Sequence, residues 1–350
     1  MMAYYSYNTI RSHQALFNFI LSNRGGGKTY GAKLMAIKDY IKSKKKTGTG
    51  DQFVYVRRYD SEFDNKDQFF FDIIDNNEFP EYEFMVKGYK GFIREKVDEE
   101  EEDPNEWEII CYFVPLSISQ RYKSTAYPNV TKIFFDEFIV DKNNIRYLKN
   151  EVDTFLNLFE TVNRSRDNVD AFFLANNVSL VNPYFSYFKL YPNPNKRFTK
   201  SKDGLVVVEM FTDYEFMEAK KKTRFGRLIQ GTAFGNFAIE NQSLNDNTAF
   251  IMKRPSEKLR FMASFIIEGK EIGIWECDEL ALFYVDFKVD ESSKERYTVT
   301  DQDHVPDLKS IKFLKITSAY IKVKMADNKN LVFFSSLETQ DLFKNILKYI

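Results

Sequence analysis

The chain has 350 residues with a formal net charge of −1, 43% hydrophobic and 17% aromatic residues. It can therefore bury a sizeable core, but it has no overall field that would draw nucleic acid, so any such contact must rest on local basic patches. Only two cysteines (Cys111, Cys277) and two histidines (His13, His304) are present, which excludes zinc-finger spacing and argues against a disulfide framework. The N-terminus lacks the apolar stretch of a signal peptide and no apolar run approaches membrane-span length, so the expectation is a soluble intracellular protein.

The first strong element is "FNFIL" (residues 17–21), short, apolar and rich in branched or aromatic residues, as a buried parallel strand requires. Ser22, Asn23, Arg24, Gly25, Gly26, Gly27, Lys28, Thr29 and Tyr30 follow directly. Tyr30, Leu34, Ile37, Tyr40 and Ile41 then recur at helical spacing. Strand, glycine loop and helix together form a phosphate cradle. Backbone N–H groups of the loop and helix start face the anion, Lys28 reaches the β- and γ-phosphates, and the Thr29 hydroxyl holds Mg²⁺. The pattern G-x-x-x-x-G-K-[ST] is met except at its first position, where Ser22 stands in place of Gly.

"VTKIFFDEF" (residues 130–138) predicts a second buried strand, ending in Asp136 and Glu137. That is where a triphosphate-hydrolysing fold places a metal-holding Asp, and the Glu after it can polarise a water. The segment from Val152 to Val162 predicts an amphipathic helix with Val152, Phe155, Leu156, Leu158, Phe159 and Val162 on its apolar face. It runs into Arg164 and Arg166, which either neutralise γ-phosphate charge, in cis or across a subunit boundary, or satisfy the carbonyls at the helix end. "AFFLANN" (residues 171–177) predicts a third strand whose Asn176 and Asn177 can bond the γ-phosphate or its water, or simply form a turn.

"NPYFSYFKLYPNPNKRF" (residues 182–198) reads as the closing edge of this α/β region. Lys220, Lys221, Lys222, Arg224 and Arg227 then concentrate positive charge among Gly226, Gly231 and Gly235, as a solvated helix end or a face toward DNA or a neighbouring subunit. From residue 249 short alternating strands take over: "RFMASFIIEG", "KEIGIWECD" and "LALFYVDFKV". Residues 309–350 carry eight Lys against Asp327, Glu338 and Asp341, and Lys309, Lys312 and Lys315 recur at helical spacing. Such a face suits phosphate tracking, and an ordinary amphipathic helix competes with it.

"RGGGKTY", "FVYVRRY", "STAYPNV", "FFDEF", "LANNVSLVNPYF" and "KTRFGRLI" together closely resemble the DNA-encapsidation ATPases of phi29-like short-tailed bacteriophages, kin to terminase large subunits, over most of the chain. The resemblance implies a P-loop ATPase fold of the additional-strand, catalytic-Glu type that uses ATP and Mg²⁺. It implies a motor that moves double-stranded DNA into a preformed procapsid as a homomeric ring, a pentamer, at the portal. A structural packaging RNA is a further implied partner. The implied setting is the host cell cytoplasm and, transiently, the procapsid, with absence from the mature virion. Arg164 matches the family's trans-acting arginine finger, Lys123 a lysine acting across the subunit interface, and Asn176 the Asn that couples hydrolysis to movement. The acidic run Asp98–Asp103 is a departure and reads as a solvated hairpin tip.

The implied organisation is an ATPase domain at 1–212, a linker subdomain at 213–248 and a vestigial nuclease-like, nucleic-acid-binding α+β domain at 249–350. A working RNase H-like nuclease needs several converging carboxylates, whereas the leading strand here offers Ser264 and only Asp286 stands as a candidate acid. The rivals left open are a helicase, a cutting terminase, and a nucleotide switch without turnover.

Overall fold

The computed structural model describes residues 5–23, 25–96, 106–140, 146–176, 180, 182–192, 196–232, 235, 250–267, 269–300, 303–312, 322, 324–327, 329, 331–347 and 349. Arg24, Asn177, Lys315 and the acidic run Asp98–Asp103 lie outside them. The chain divides into two compact units, Met1–Asn245 and Asp246–Ile350.

The first unit is built on a nine-stranded sheet. Its strands are β1 (Phe17–Ser22), β2 (Gln52–Arg57), β3 (Tyr82–Lys87), β4 (Lys90–Glu95), β5 (Glu108–Pro115), β6 (Val130–Asp136), β7 (Asp170–Asn176), β8 (Phe198–Lys200) and β9 (Val206–Phe211), in the order β3-β4-β5-β2-β6-β7-β1-β9-β8. The run from β5 to β9 is parallel throughout, and antiparallel pairs close both edges. β7 separates β1 from β6, which is the additional strand that the resemblance implies. Every residue of β1 is buried, as expected of a strand covered on both faces.

Among the described residues, the α-helices of this unit are α1 (Asn8–Arg11), α2 (Lys28–Thr47), α3 (Phe71–Asp75), α4 (Glu151–Asn163), α5 (Pro183–Tyr187), α6 (Tyr214–Lys222) and α7 (Arg224–Ile229). α2 buries Tyr30, Ile37 and Tyr40, while Leu34 and Ile41 pack at its margin. α4 buries Val152, Phe155, Leu158, Phe159 and Val162 against the sheet, where Phe155 lies parallel to Phe135 at 5.7 Å between ring centroids.

One expectation needs correction here. The 182–198 stretch reaches the edge only at Phe198, where β8 starts; earlier, Asn182 caps α5 by accepting from the N–H groups of Tyr184 and Phe185, and both aromatics are fully buried. The edge is β8, and β9, which the sequence reading did not single out, pairs directly with β1. Its alternation is masked because β9 is buried from Val206 to Glu209.

The second unit holds a six-stranded sheet in the order β14-β13-β10-β11-β12-β15. Its strands are β10 (Arg260–Ile267), β11 (Lys270–Cys277), β12 (Leu282–Asp286), β13 (Arg296–Thr298), β14 (Lys309–Ser310) and β15 (Val332–Phe334), packed against α8 (Leu337–Ile346). Lys309 therefore lies on a strand, not on the helix that its spacing with Lys312 suggested. Backbone pairing with β13 outweighs the local spacing.

Candidate functional site

The site assembles at the carboxyl ends of β1, β6 and β7 because parallel strands end together on one edge of the sheet. Ser22 and Asn176 are register partners on β1 and β7, and this pairing brings the loop lysine and the strand-end amide together. Lys28 Nζ donates to Ser22 Oγ (2.8 Å), the Asn23 carbonyl (3.1 Å) and Asn176 Oδ1 (3.2 Å). Ser22, the departure from the motif, thus gives the lysine a hydroxyl acceptor, and its own proton goes to the Asn23 carbonyl. Burial pushes the Lys28 ammonium down to about 8, against the opposing pull of Asp136 and Glu137.

The triple glycine has a geometric reason. Gly25 (φ +88°) and Gly27 (φ +74°) take left-handed conformations that other residues adopt at a cost. A Cβ on Gly25 would also stand 3.0 Å from Phe216 Cζ, so α6 presses an aromatic edge onto the loop. The N-terminal segment braces the other side: Tyr7 Oη donates to the Lys28 carbonyl (2.9 Å) and the Tyr5 N–H to the Gly26 carbonyl (3.3 Å). Tyr30, expected among the phosphate-binding residues, turns its side chain away into the core, where its hydroxyl donates to Glu78 Oε1. What it can offer an anion is a helix-start amide.

Asp136 is 7% exposed and accepts from three donors. Thr29 Oγ1 (2.9 Å) and Tyr55 Oη (2.6 Å) meet its Oδ2, and the Glu137 N–H (3.0 Å) meets its Oδ1. Neighbouring ligands of an octahedral ion with oxygens at 2.0–2.1 Å stand about 3 Å apart, so the Thr29 and Asp136 oxygens fit two adjacent positions of one Mg²⁺. Among the described residues no cluster of three or more His, Cys, Asp or Glu is placed to hold a metal.

Glu137 leaves β6 with φ +56°, and its carboxylate, 53% exposed, accepts from Arg57 Nη2 at 2.7 Å. Arg57 ends β2, is also paired with Glu62, and stands 3.9 Å from Asp136. Burial works against its charge, and the neighbouring acids, Asp136 foremost, more than offset that and hold the guanidinium charged. The sequence reading missed Tyr55 and Arg57. Two arginines closing a buried strand in "FVYVRRY" were the available signal.

Lys123 and Arg164 are not part of this cluster. Both are exposed, and Arg164 Nη2 donates to the Thr125 carbonyl at 3.0 Å, which places it beside the loop that carries Lys123. α4 runs 13 residues, about 20 Å, from Glu151 to Asn163, and Arg164 follows directly. Arg166 takes the capping role, donating to the carbonyls of Tyr127, Pro128, Val162 and Asn163. Of the basic cluster, Lys220 lies over the Phe216 ring and Lys221 pairs with Glu218, while Lys222 and Arg224 are exposed. Lys309 pairs with Glu295, and Lys312 is exposed.

Fold and site together define a P-loop nucleotide-hydrolase architecture with one strand inserted between the phosphate-loop strand and the acidic strand. The family model described as Podovirus DNA encapsidation protein (Gp16) matches residues 1–349. The chain belongs to this family and is a DNA packaging protein of the phi29-like phages, as its motifs indicate. It is 40% identical over 300 residues to the DNA packaging protein of Bacillus phage PZA, covering 86% of this chain and 83% of that one. Identity to the phi29 protein is 39% over the same shares. The fold is similar to a chain of the bacteriophage Phi-29 viral genome packaging motor assembly, with a TM-score of 0.72, 34% identity and 99% of both chains covered. It is also similar to the crystal structure of the N-terminal domain of the phi29 DNA packaging ATPase, with a TM-score of 0.52, 38% identity, 61% of this chain and 98% of that one. No helix among the described residues is long and apolar enough to cross a membrane.

Proposed function

We propose that this chain is the ATP-driven motor subunit that moves double-stranded viral DNA into a procapsid. The observation that carries the proposal is the convergence, on one edge of one parallel sheet, of Lys28 with Ser22 and Asn176 and of Thr29 with Asp136. Lys28 and the loop amides hold the triphosphate, and Thr29 and Asp136 would hold Mg²⁺. The bound ion neutralises charge on the transferring phosphoryl group. Glu137 orients the attacking water once its carboxylate is released by Arg57. Asn176, bonded to Lys28, reports the state of the γ-phosphate to the rest of the chain. Arg164, with Lys123, acts on the neighbouring subunit of a homomeric ring; its exposure, beside the loop that carries Lys123, supports this reading.

Residues 213–248 serve as the linker and 249–350 as the nucleic-acid-binding domain, gripping DNA by its backbone because a motor that moves any sequence cannot read bases. Lys220, Lys221, Lys222, Arg224, Lys309, Lys312 and Lys315 remain the candidate contacts. Partners are the procapsid portal and a structural packaging RNA, and the setting is the host cytoplasm. The 249–350 domain binds without cutting: Asp286 is held by Arg254 (2.5 Å) and the Trp275 Nε1–H (3.0 Å), and Ser264 donates to Glu271.

The test is packaging by purified procapsids with Glu137→Gln or Arg164→Ala subunits mixed into wild type. A few mutant subunits should stop a disproportionate share of motors. A loss of activity linear in the mutant fraction refutes action across the ring.

A further inference from the structure

Arg58, the residue after β2, is 2% exposed and pairs with Glu151, which is 3% exposed. Its Nε donates to Glu151 Oε2 (2.7 Å) and its Nη2 to Oε1 (2.9 Å). The same guanidinium donates from Nη1 to the Glu137 carbonyl (3.1 Å) and from Nη2 to the Phe138 carbonyl (2.6 Å). Phe135 and Tyr147 lie 5.5 Å and 5.1 Å from it. Glu151 also accepts from the Leu148 N–H (2.8 Å) and Tyr184 Oη (3.0 Å).

A buried ion pair is weak evidence of stability, because apolar residues of similar volume would serve as well or better. What apolar residues could not do is bond the two carbonyls that flank the Phe138 N–H. Those carbonyls belong to a strained turn, since Glu137 is a non-glycine residue at φ +56°. The turn is pinned at each remaining polar group: the Glu137 N–H by Asp136 Oδ1 and the Phe138 N–H by the Leu174 carbonyl (3.3 Å). Arg58 completes the set.

We propose that Arg58, clamped by Glu151, is a positioning residue for hydrolysis: it holds the left-handed turn that aims the Glu137 carboxylate. This rests on the reading of Glu137 as the residue that orients water. Glu151 is also the first residue of α4, so the clamp fixes the same turn to the helix whose far end leads into Arg164.

The full chain, assayed for ATP hydrolysis with Mg²⁺ and double-stranded DNA, tests this with two variants. Arg58→Lys keeps a charge opposite Glu151, but one ammonium cannot span a carboxylate and two carbonyls. Arg58→Met/Glu151→Met removes both charges together and leaves no lone ion buried. In each, kcat should fall about 10- to 100-fold, the cost of a slightly misplaced catalytic group, while KM for ATP stays within about threefold. Binding of a fluorescent ATP analogue reports the fold, and Arg58→Lys carries the test if the double variant does not fold. Added to Glu137→Gln, Arg58→Lys should take no further turnover, because it acts through the residue already lost. Wild-type kcat in a variant that binds ATP overturns the proposal, as does a loss that multiplies on the Glu137→Gln background. Wild-type turnover of Glu137→Gln alone sinks the reading of Glu137 itself, which separates the two failures.

Discussion

Tyr55→Phe should make hydrolysis hungrier for Mg²⁺. The phenol donates to Asp136 Oδ2 at 2.6 Å, and that oxygen also accepts from Thr29. Burial, and then the Asp136 charge, raise the Tyr55 hydroxyl well above its ordinary pKa, so it remains a donor at every working pH. A hydrogen bond to a charged group contributes about 1.5–3 kcal/mol, and part of that is lost equally from the metal-free state. The remainder corresponds to roughly tenfold in metal affinity, in line with the 10- to 100-fold typical of groups that orient metal ligands. The ring would stay in place against Phe63, Phe69 and Phe113, so the fold survives the change. At fixed ATP, the Mg²⁺ concentration for half-maximal hydrolysis should rise about tenfold, with turnover restored by excess Mg²⁺. An unchanged Mg²⁺ requirement, or a turnover deficit that excess Mg²⁺ cannot repair, would refute the assignment of Asp136 as the metal-holding acid backed by Tyr55.

Three other expectations concern the same unit. Gly25→Ala forces a left-handed alanine toward Phe216 and should weaken binding of a fluorescent ATP analogue about 5- to 30-fold, the equivalent of 1–2 kcal/mol; unaltered binding would count against the loop geometry. Lys28 is held down to about 8 in the fold against an ordinary value of 10.5, so its ammonium costs the folded chain most below pH 8, and that cost fades as pH rises toward 10.5. Lys28→Met should therefore be more stable than wild type to urea at pH 7.5, by up to about 3 kcal/mol, and the gap should narrow at pH 9.5. Arg166→Ala strips donors from four carbonyls and should lower stability by about 2 kcal/mol, whereas Arg164→Ala, with one such bond, should change thermal melting little.

What was legible in the sequence was local. β1 with its glycine loop and α2, and the acid-ended β6, each announce themselves within a dozen residues by apolar runs and special residue types. The readings that failed concern partners far apart in the chain. β9 carries a buried acid, Glu209, that would argue against a central strand, and it is accommodated by Tyr5 and Arg197. Tyr184 looked like an edge aromatic and lies in the core because Glu151 accepts its hydroxyl. Lys309 follows a helical spacing but pairs as a strand with Tyr297, as Ser310 does with Thr298, a choice made by backbone partners that no periodicity can reveal. Tyr55, Arg57 and Arg58 reach Asp136 and Glu137 across about 80 positions, a relation set by the order of strands.

The place of β1 in the sheet has a consequence for biosynthesis. β1 is made early, yet its two neighbours are β7 and β9, which end at Asn176 and Phe211. A ribosome must therefore release more than half of the polypeptide before the lysine loop has walls on both sides. Until then the loop lacks the strands that flank it, and a truncated translation product ending before residue 170 has neither of them.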